Sequence, residues 1–255
     1  MALLEVRNLF KSFGGLSAVV DFSMTIEEQE LVGLIGPNGA GKTTVFNLIT
    51  GVYRPDRGLI MMEGKSIVGK KPHDICRAGI ARTFQNIRLF GGLSVIDNVK
   101  ISLHKNVPYS LPAAVMRLPA FFQGESWMND RALELLHLLG LAEKKDEIAS
   151  NLPYGEQRRL EIARALATEP KLIILDEPAA GMNPQETQEL MKLINSLREE
   201  FKLTVLLIEH DMSLVMGLCE RILVLDYGRT IAEGWPEEIR NNPRVIEAYL
   251  GEEVV

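Results

Sequence analysis

The sequence predicts an α/β protein with a mainly parallel core sheet, an N-terminal antiparallel β subdomain and an inserted helical subdomain. Three observations carry that prediction. Gly36-Pro37-Asn38-Gly39-Ala40-Gly41-Lys42-Thr43-Thr44 reads G-x-x-x-x-G-K-[ST], a phosphate-binding P-loop, set between the apolar run 31–35 and the helix-compatible run 45–49. After residue 165, short apolar runs alternate with stretches of helical spacing, the pattern of a parallel sheet. Residues 88–165 form a block whose regular elements are helical, which reads as a lobe inserted into an α/β core made of 1–87 and 166–255.

Taken in order, residues 3–9 and 19–26 read as strands around a Gly14-Gly15 turn. The P-loop helix stops at Gly51 and Pro55, and 59–63 is a strand between Gly58 and Gly64. A short helix over 72–78 starts on Pro72, and 80–84 is a strand leading to Gln85. In the insertion, 95–103 is helical. Residues 106–124, with Pro108, Pro112 and Pro119, read as an irregular connection or a partner-binding surface. Helices follow over 127–141, closed by Gly140, and over 156–167. Strands at 172–175 and 204–208, helices at 184–200 and 212–219, and a hairpin around Tyr227-Gly228 complete the core, with two short helices at the end.

Composition narrows the class. The 255 residues carry 46% apolar and 24% charged side chains, ordinary for a globular protein. A net charge of −6 argues against a nucleic-acid partner. Cys76 and Cys219 are far apart and form no zinc or disulfide pattern. No stretch matches a signal peptide or a membrane span, so a membrane role requires other subunits.

The chemistry follows from the loop. Its glycines let the backbone N–H groups converge on one hollow, and the helix N-terminus adds its positive end. Lys42 supplies a mobile charge for the β- and γ-phosphates, and the Thr43 hydroxyl is a Mg²⁺ ligand. The run 172–175 is an interior strand ending in Asp176-Glu177, at the edge where α/β sheets bind ligands. Asp176 is suited to hold the magnesium through water from a neighbouring strand, and Glu177 to polarise the attacking water as general base.

The P-loop, Gln85 after a strand, the R-R-x-x-x-A-R-A-L helix (158–166), Asp176-Glu177-Pro178 and Ile208-Glu209-His210-Asp211 occur in the order found in ABC transporter ATP-binding subunits. The resemblance spans nearly the whole chain. It implies a single ABC ATP-binding domain, a P-loop NTPase fold, that uses ATP and Mg²⁺. It further implies that Phe13 stacks on adenine with Ala18 nearby, that Gln85 reaches the metal and the water, and that His210 contacts the γ-phosphate.

The signature segment departs from the family's L-S-G-G-Q: it is Leu152-Pro153-Tyr154-Gly155-Glu156, without the serine hydroxyl. This segment, with Asn183 in place of the family's aspartate, is implied to contact the nucleotide or the partner across a dimer interface. These departures, with 82–90 and the closing Ala248-Tyr249-Leu250-Gly251, resemble the larger ATP-binding subunit of branched-chain amino acid importers. Urea and lipopolysaccharide-export ATPases share part of the pattern. A soluble ABC ATPase without a transport role and a non-catalytic regulator are the alternatives. The resemblance implies integral membrane permease subunits, a second ATP-binding subunit (a copy or a relative) and, indirectly, a solute-binding protein. It places the chain on the cytoplasmic face of the membrane.

Overall fold

The computed structural model describes residues 2–107, 109–210 and 212–250. Asp211 of the histidine motif, Pro108 and Gly251 lie outside them. The chain divides into two compact units, 1–82 with 171–255, and 83–170.

The first unit opens with two long strands, β1 (Ala2–Phe13) and β2 (Leu16–Glu27), paired antiparallel through a Gly14-Gly15 turn. Both run further toward the turn than their apolar residues indicate, because Lys11, Ser12 and Ser17 pair without being buried. Strand β3 (Leu31–Ile35) is buried at every position and delivers the chain to the P-loop, after which α1 (Lys42–Ile49) begins. Burying its four large apolar side chains contributes about 1.5–3 kcal/mol each, which fixes the root of the loop. Then come β4 (Arg57–Met62), β5 (Lys65–Ser66), α2 (Pro72–Arg77) and β6 (Ile80–Arg82).

The second unit is helical. Helix α3 (Val95–Leu103) is capped by Ser94, whose hydroxyl accepts the Asp97 N–H at 3.2 Å. Residues 106–124 are more ordered than an irregular connection. Helix α4 (Leu111–Val115) has Pro112 in its first turn, and α5 (Pro119–Leu138) starts on Pro119. Proline there is a start signal, not a break, because the first-turn N–H groups have no helical partner. Helix α6 (Tyr154–Leu166) closes the unit. Val95, Val99, Met128, Leu135, Leu136 and Leu160 form its buried interior.

The first unit resumes with β7 (Leu172–Asp176), α7 (Pro184–Phe201), β8 (Thr204–Ile208), α8 (Met212–Leu218), β9 (Arg221–Asp226), β10 (Arg229–Gly234), α9 (Pro236–Arg240) and α10 (Pro243–Leu250). Two sheets result: an antiparallel one of order β2-β1-β4-β5, and one of order β10-β9-β3-β8-β7-β6 that is parallel except for β10. The sequence suggests that the acids stand on the strand next to the P-loop strand. They stand one strand further out, with β8 between. Among the described residues, no helix is long and apolar enough to cross a membrane.

Candidate functional site

Parallel register brings the chemistry to one edge. Leu34 of β3 and Asp176 of β7 both pair with Ile208 of β8, so the three strands end level. The P-loop leaves β3, Glu177 leaves β7 and His210 leaves β8 at that edge, which is where open α/β sheets bind ligands.

The loop is held from behind. Gly36 (φ +151°) and Gly41 (φ +104°) occupy positions where an added Cβ would lie 2.0 Å from the Leu225 carbonyl oxygen and 2.5 Å from the Ala18 carbonyl oxygen. No other residue fits there without moving backbone. The Ala18 backbone therefore lies beside the loop. Gly228, in the β9–β10 turn, donates its N–H to the Ala40 carbonyl (2.8 Å) and accepts from Val20 N–H (2.8 Å). That brace was missed in the sequence, where Tyr227-Gly228 reads only as a hairpin.

Lys42 is 7% exposed, and its ammonium donates to the carbonyls of Gly36 (2.6 Å) and Pro37 (2.9 Å). The charge is thus folded over the hollow of the loop. Asn38 and Gly39 at the tip and Thr43 are exposed, and Thr44 is half-buried. A pocket of about 540 Å³ borders Pro37–Ala40 and is closed by Asp226, Tyr227 and Ile231 with Arg244 of α10. Neither Lys42 nor Thr43 lines it, so it is not the phosphate hollow.

Asp176 is buried at the end of β7. Glu177 adopts a left-handed conformation (φ +45°) while its N–H donates to the Ile208 carbonyl at 2.8 Å. A non-glycine residue held there is a local strain of the kind found at reacting centres. His210 Nδ1 lies 3.5 Å from the Glu177 carboxylate. Glu209, marked in the sequence only as part of the Ile208-Glu209-His210-Asp211 motif, is 1% exposed. One carboxylate oxygen accepts the Ala179 N–H (3.1 Å) and the other the His210 N–H (3.1 Å). It clasps the turn after Glu177 to the turn that carries His210. Only its position before the histidine hints at this.

Phe13 ends β1. It packs edge-on against Tyr53 (centroids 5.1 Å apart), lies 5.3 Å from Lys11 Nζ and stays 42% exposed, with surface left for a second ring. Asn183 caps α7: its side-chain oxygen accepts from Gln185 N–H (2.9 Å) and Glu186 N–H (3.0 Å) in a capping box. That oxygen is committed within the chain, which leaves the amide N–H groups for any contact across an interface.

In the second unit, Pro153 is the N-cap of α6, so the N–H groups of Tyr154, Gly155 and Glu156 are those a helix start leaves open. Leu152 is buried and its carbonyl accepts from Gln157 Nε2 at 2.8 Å. Both Glu156 oxygens take the Lys144 ammonium at 2.7 Å, which holds that ammonium above the usual lysine range. Arg158, which the sequence marks only as part of the 158–166 motif, and Glu161, which it does not single out, join α6 to the Gln85 segment. Arg158 is fully buried and donates to the carbonyls of Phe84 (2.5 Å) and Gln85 (2.9 Å), to Tyr154 Oη (3.0 Å) and to Glu161 (3.1 Å). Glu161 accepts the N–H groups of Phe84 (3.3 Å) and Arg88 (3.2 Å). Burial raises its carboxyl above the usual range, against the opposing pull of those N–H groups and of Arg158.

A braced glycine loop with a folded-in lysine, level with two strand-end carboxylates and a histidine, defines a P-loop nucleotide-binding ATPase. Residues 19–180 match the family model described as ABC transporter, and 229–255 match that of the branched-chain amino acid ATP-binding cassette transporter. The chain belongs to the ABC transporter ATP-binding family. It is 51% identical, over 98% of both chains, to the high-affinity branched-chain amino acid transport ATP-binding protein LivG of Salmonella typhimurium. It is 36% identical, over 99% of both chains, to the lipopolysaccharide export system ATP-binding protein LptB of Haemophilus influenzae. Among solved structures it resembles the ADP conformation of MJ1267, an ATP-binding cassette of an ABC transporter. That match has a TM-score of 0.84 and 30% identity, and covers 98% of this chain and 99% of that one.

Proposed function

We propose that this chain hydrolyses Mg-ATP to drive import of branched-chain amino acids through separate permease subunits, as a peripheral subunit on the cytoplasmic face of a membrane. The observation that carries the solute class is the identity to LivG, 51%, against 36% to the lipopolysaccharide-export ATPase.

The residues present fit a magnesium nucleotide. Lys42 holds a buried ammonium on loop carbonyls that phosphate oxygens can replace. Thr43 contributes an exposed hydroxyl and Asp176 a carboxylate at the same sheet edge. The ion would rest on Thr43, Asp176 and the phosphates. Magnesium supplies charge neutralisation on the transferring phosphoryl group.

Phe13 and Ala18 receive the adenine, and the N–H groups from Gly36 to Thr44 receive the phosphates. Glu177 takes the proton of the attacking water, and His210 beside it orients that carboxylate and meets the terminal phosphate. The open N-terminus of α6, from Leu152 to Glu156, completes the site of a second ATP-binding subunit, so turnover needs a pair. Triphosphate binding favours the closed pair and hydrolysis releases it.

The test is reconstitution with candidate permease subunits, a second ATPase and a solute-binding protein. Hydrolysis is expected to rise several-fold when the binding protein carries leucine. Stimulation by urea instead, or by no solute at all, would contradict the assignment.

A further inference from the structure

We propose that the corner between α4 and α5 is a membrane-surface anchor that seats in the headgroup layer of an anionic bilayer. Leu111, Val115, Met116, Leu118 and Phe122 surround this corner and are 45–78% exposed. Isolated exposed apolar residues are common, but five within twelve positions form a patch that water disfavours.

The corner has the backbone such a setting requires. Met116 N–H donates to the Pro112 carbonyl, Arg117 N–H to Ala114, Leu118 N–H to Ala113 and Phe121 N–H to Leu118, at 2.8–3.2 Å. Four donors of the turn are thus satisfied within the corner, which lowers the cost of entering a poorly hydrated layer. Tyr109, Phe121 and Phe122 form an edge-on aromatic chain, and the Tyr109 hydroxyl donates to Glu125 at 2.7 Å. Apolar ring bodies with one polar tip are typical of a membrane interface.

Charge identifies the occupant. A chain with 24% charged residues and a net charge of −6 has no acid from 98 to 124, and from 106 to 124 its single charge is Arg117, exposed at the turn. The nearest acid in sequence, Glu125, accepts from the Tyr109 hydroxyl and lies 3.7 Å from the Lys100 ammonium, so an apolar knuckle whose exposed charge is Arg117 complements anionic headgroups over acyl chains. This surface lies wholly within the 83–170 unit and uses none of the residues assigned to ATP.

The test is co-sedimentation of the full-length protein with vesicles. Binding is expected to phosphatidylglycerol-containing vesicles, and to be at least about tenfold weaker to pure phosphatidylcholine vesicles. The M116D/F122D double variant is expected to lose at least about tenfold in partition, and Arg117→Glu to lose binding to the anionic vesicles selectively. ATP hydrolysis by the same samples, which reports on the function proposed above, is expected to be unchanged. Equal partition of wild type and double variant, or no preference for anionic vesicles, would overturn the proposal. Capture of permease subunits by this surface without any vesicle binding would also overturn it and assign the corner to a protein partner.

Discussion

Replacing Arg158 by Met removes a fully buried guanidinium and strands the carboxylate of Glu161, which is 4% exposed. Glu161 then keeps the N–H groups of Phe84 and Arg88, at 3.3 and 3.2 Å, and the more distant charge of Arg164, while the Phe84 and Gln85 carbonyls lose the Arg158 donor. Breaking a buried ion pair on one side costs about 3–5 kcal/mol. We therefore expect Arg158→Met to destabilise the 83–170 unit by about that amount at pH 8. Urea unfolding followed by Trp127 fluorescence, with Trp235→Phe to silence the other tryptophan, reads this unit selectively. The pH dependence has a definite sign. The folded-state pKa of Glu161 is already raised from 4.5 by burial, and loss of Arg158 raises it further. The folded protein then holds a proton that the unfolded chain has released, so stability falls as pH climbs from about 4.5 through the raised value. The loss should thus be smaller at pH 5 than at pH 8. Adding Glu161→Leu should restore a large part of it, because no buried charge remains unpaired. A loss below about 1 kcal/mol at pH 8, or an identical loss at both pH values, would refute the reasoning, since either means that the pair is effectively solvated.

Three further outcomes are expected. Gly36→Ala, whose Cβ would lie 2.0 Å from the Leu225 carbonyl oxygen, should weaken Mg-ATP binding by about tenfold or more in calorimetry; unchanged affinity would mean that the loop does not need its bracing. Asn183→Ala should cost about 1 kcal/mol in denaturant titration through loss of the α7 cap, while Asn183→Asp, which keeps the accepting oxygen, should cost little. Burial pushes the Cys219 thiol up to about 12, so Cys219 should alkylate far more slowly than Cys76 at pH 8; equal labelling read by mass spectrometry would contradict its burial over Gly33 of β3.

The parts of the fold written in local chemistry were legible in sequence. Residues 204–208 form β8 as expected, because Thr204 and the four apolar residues after it, rich in β-branched side chains and ending at Glu209, read locally as a buried strand. The P-loop motif likewise announced its own strand and helix. What depends on non-local pairing was not legible. Strand order places β8 between the P-loop strand and the acids, and no local pattern encodes that order. Residues 106–124 read as irregular because proline marks both helix starts and helix breaks, and the first-turn role of Pro112 and Pro119 shows only in three dimensions. Glu209, Arg158 and Glu161 share this difficulty: a charged residue looks solvated until the backbone donors and acceptors that meet it are in place.

Glu177→Gln puts the central claim to the most direct test, because it keeps the size and position of the side chain and removes only its capacity to take a proton. Mg-ATP affinity of the full-length variant should stay within about threefold of wild type, while turnover with its partner subunits should fall by about 10²–10⁴-fold. Turnover at the wild-type rate would contradict the account, because the carboxylate beside His210 would then not be the base that activates water.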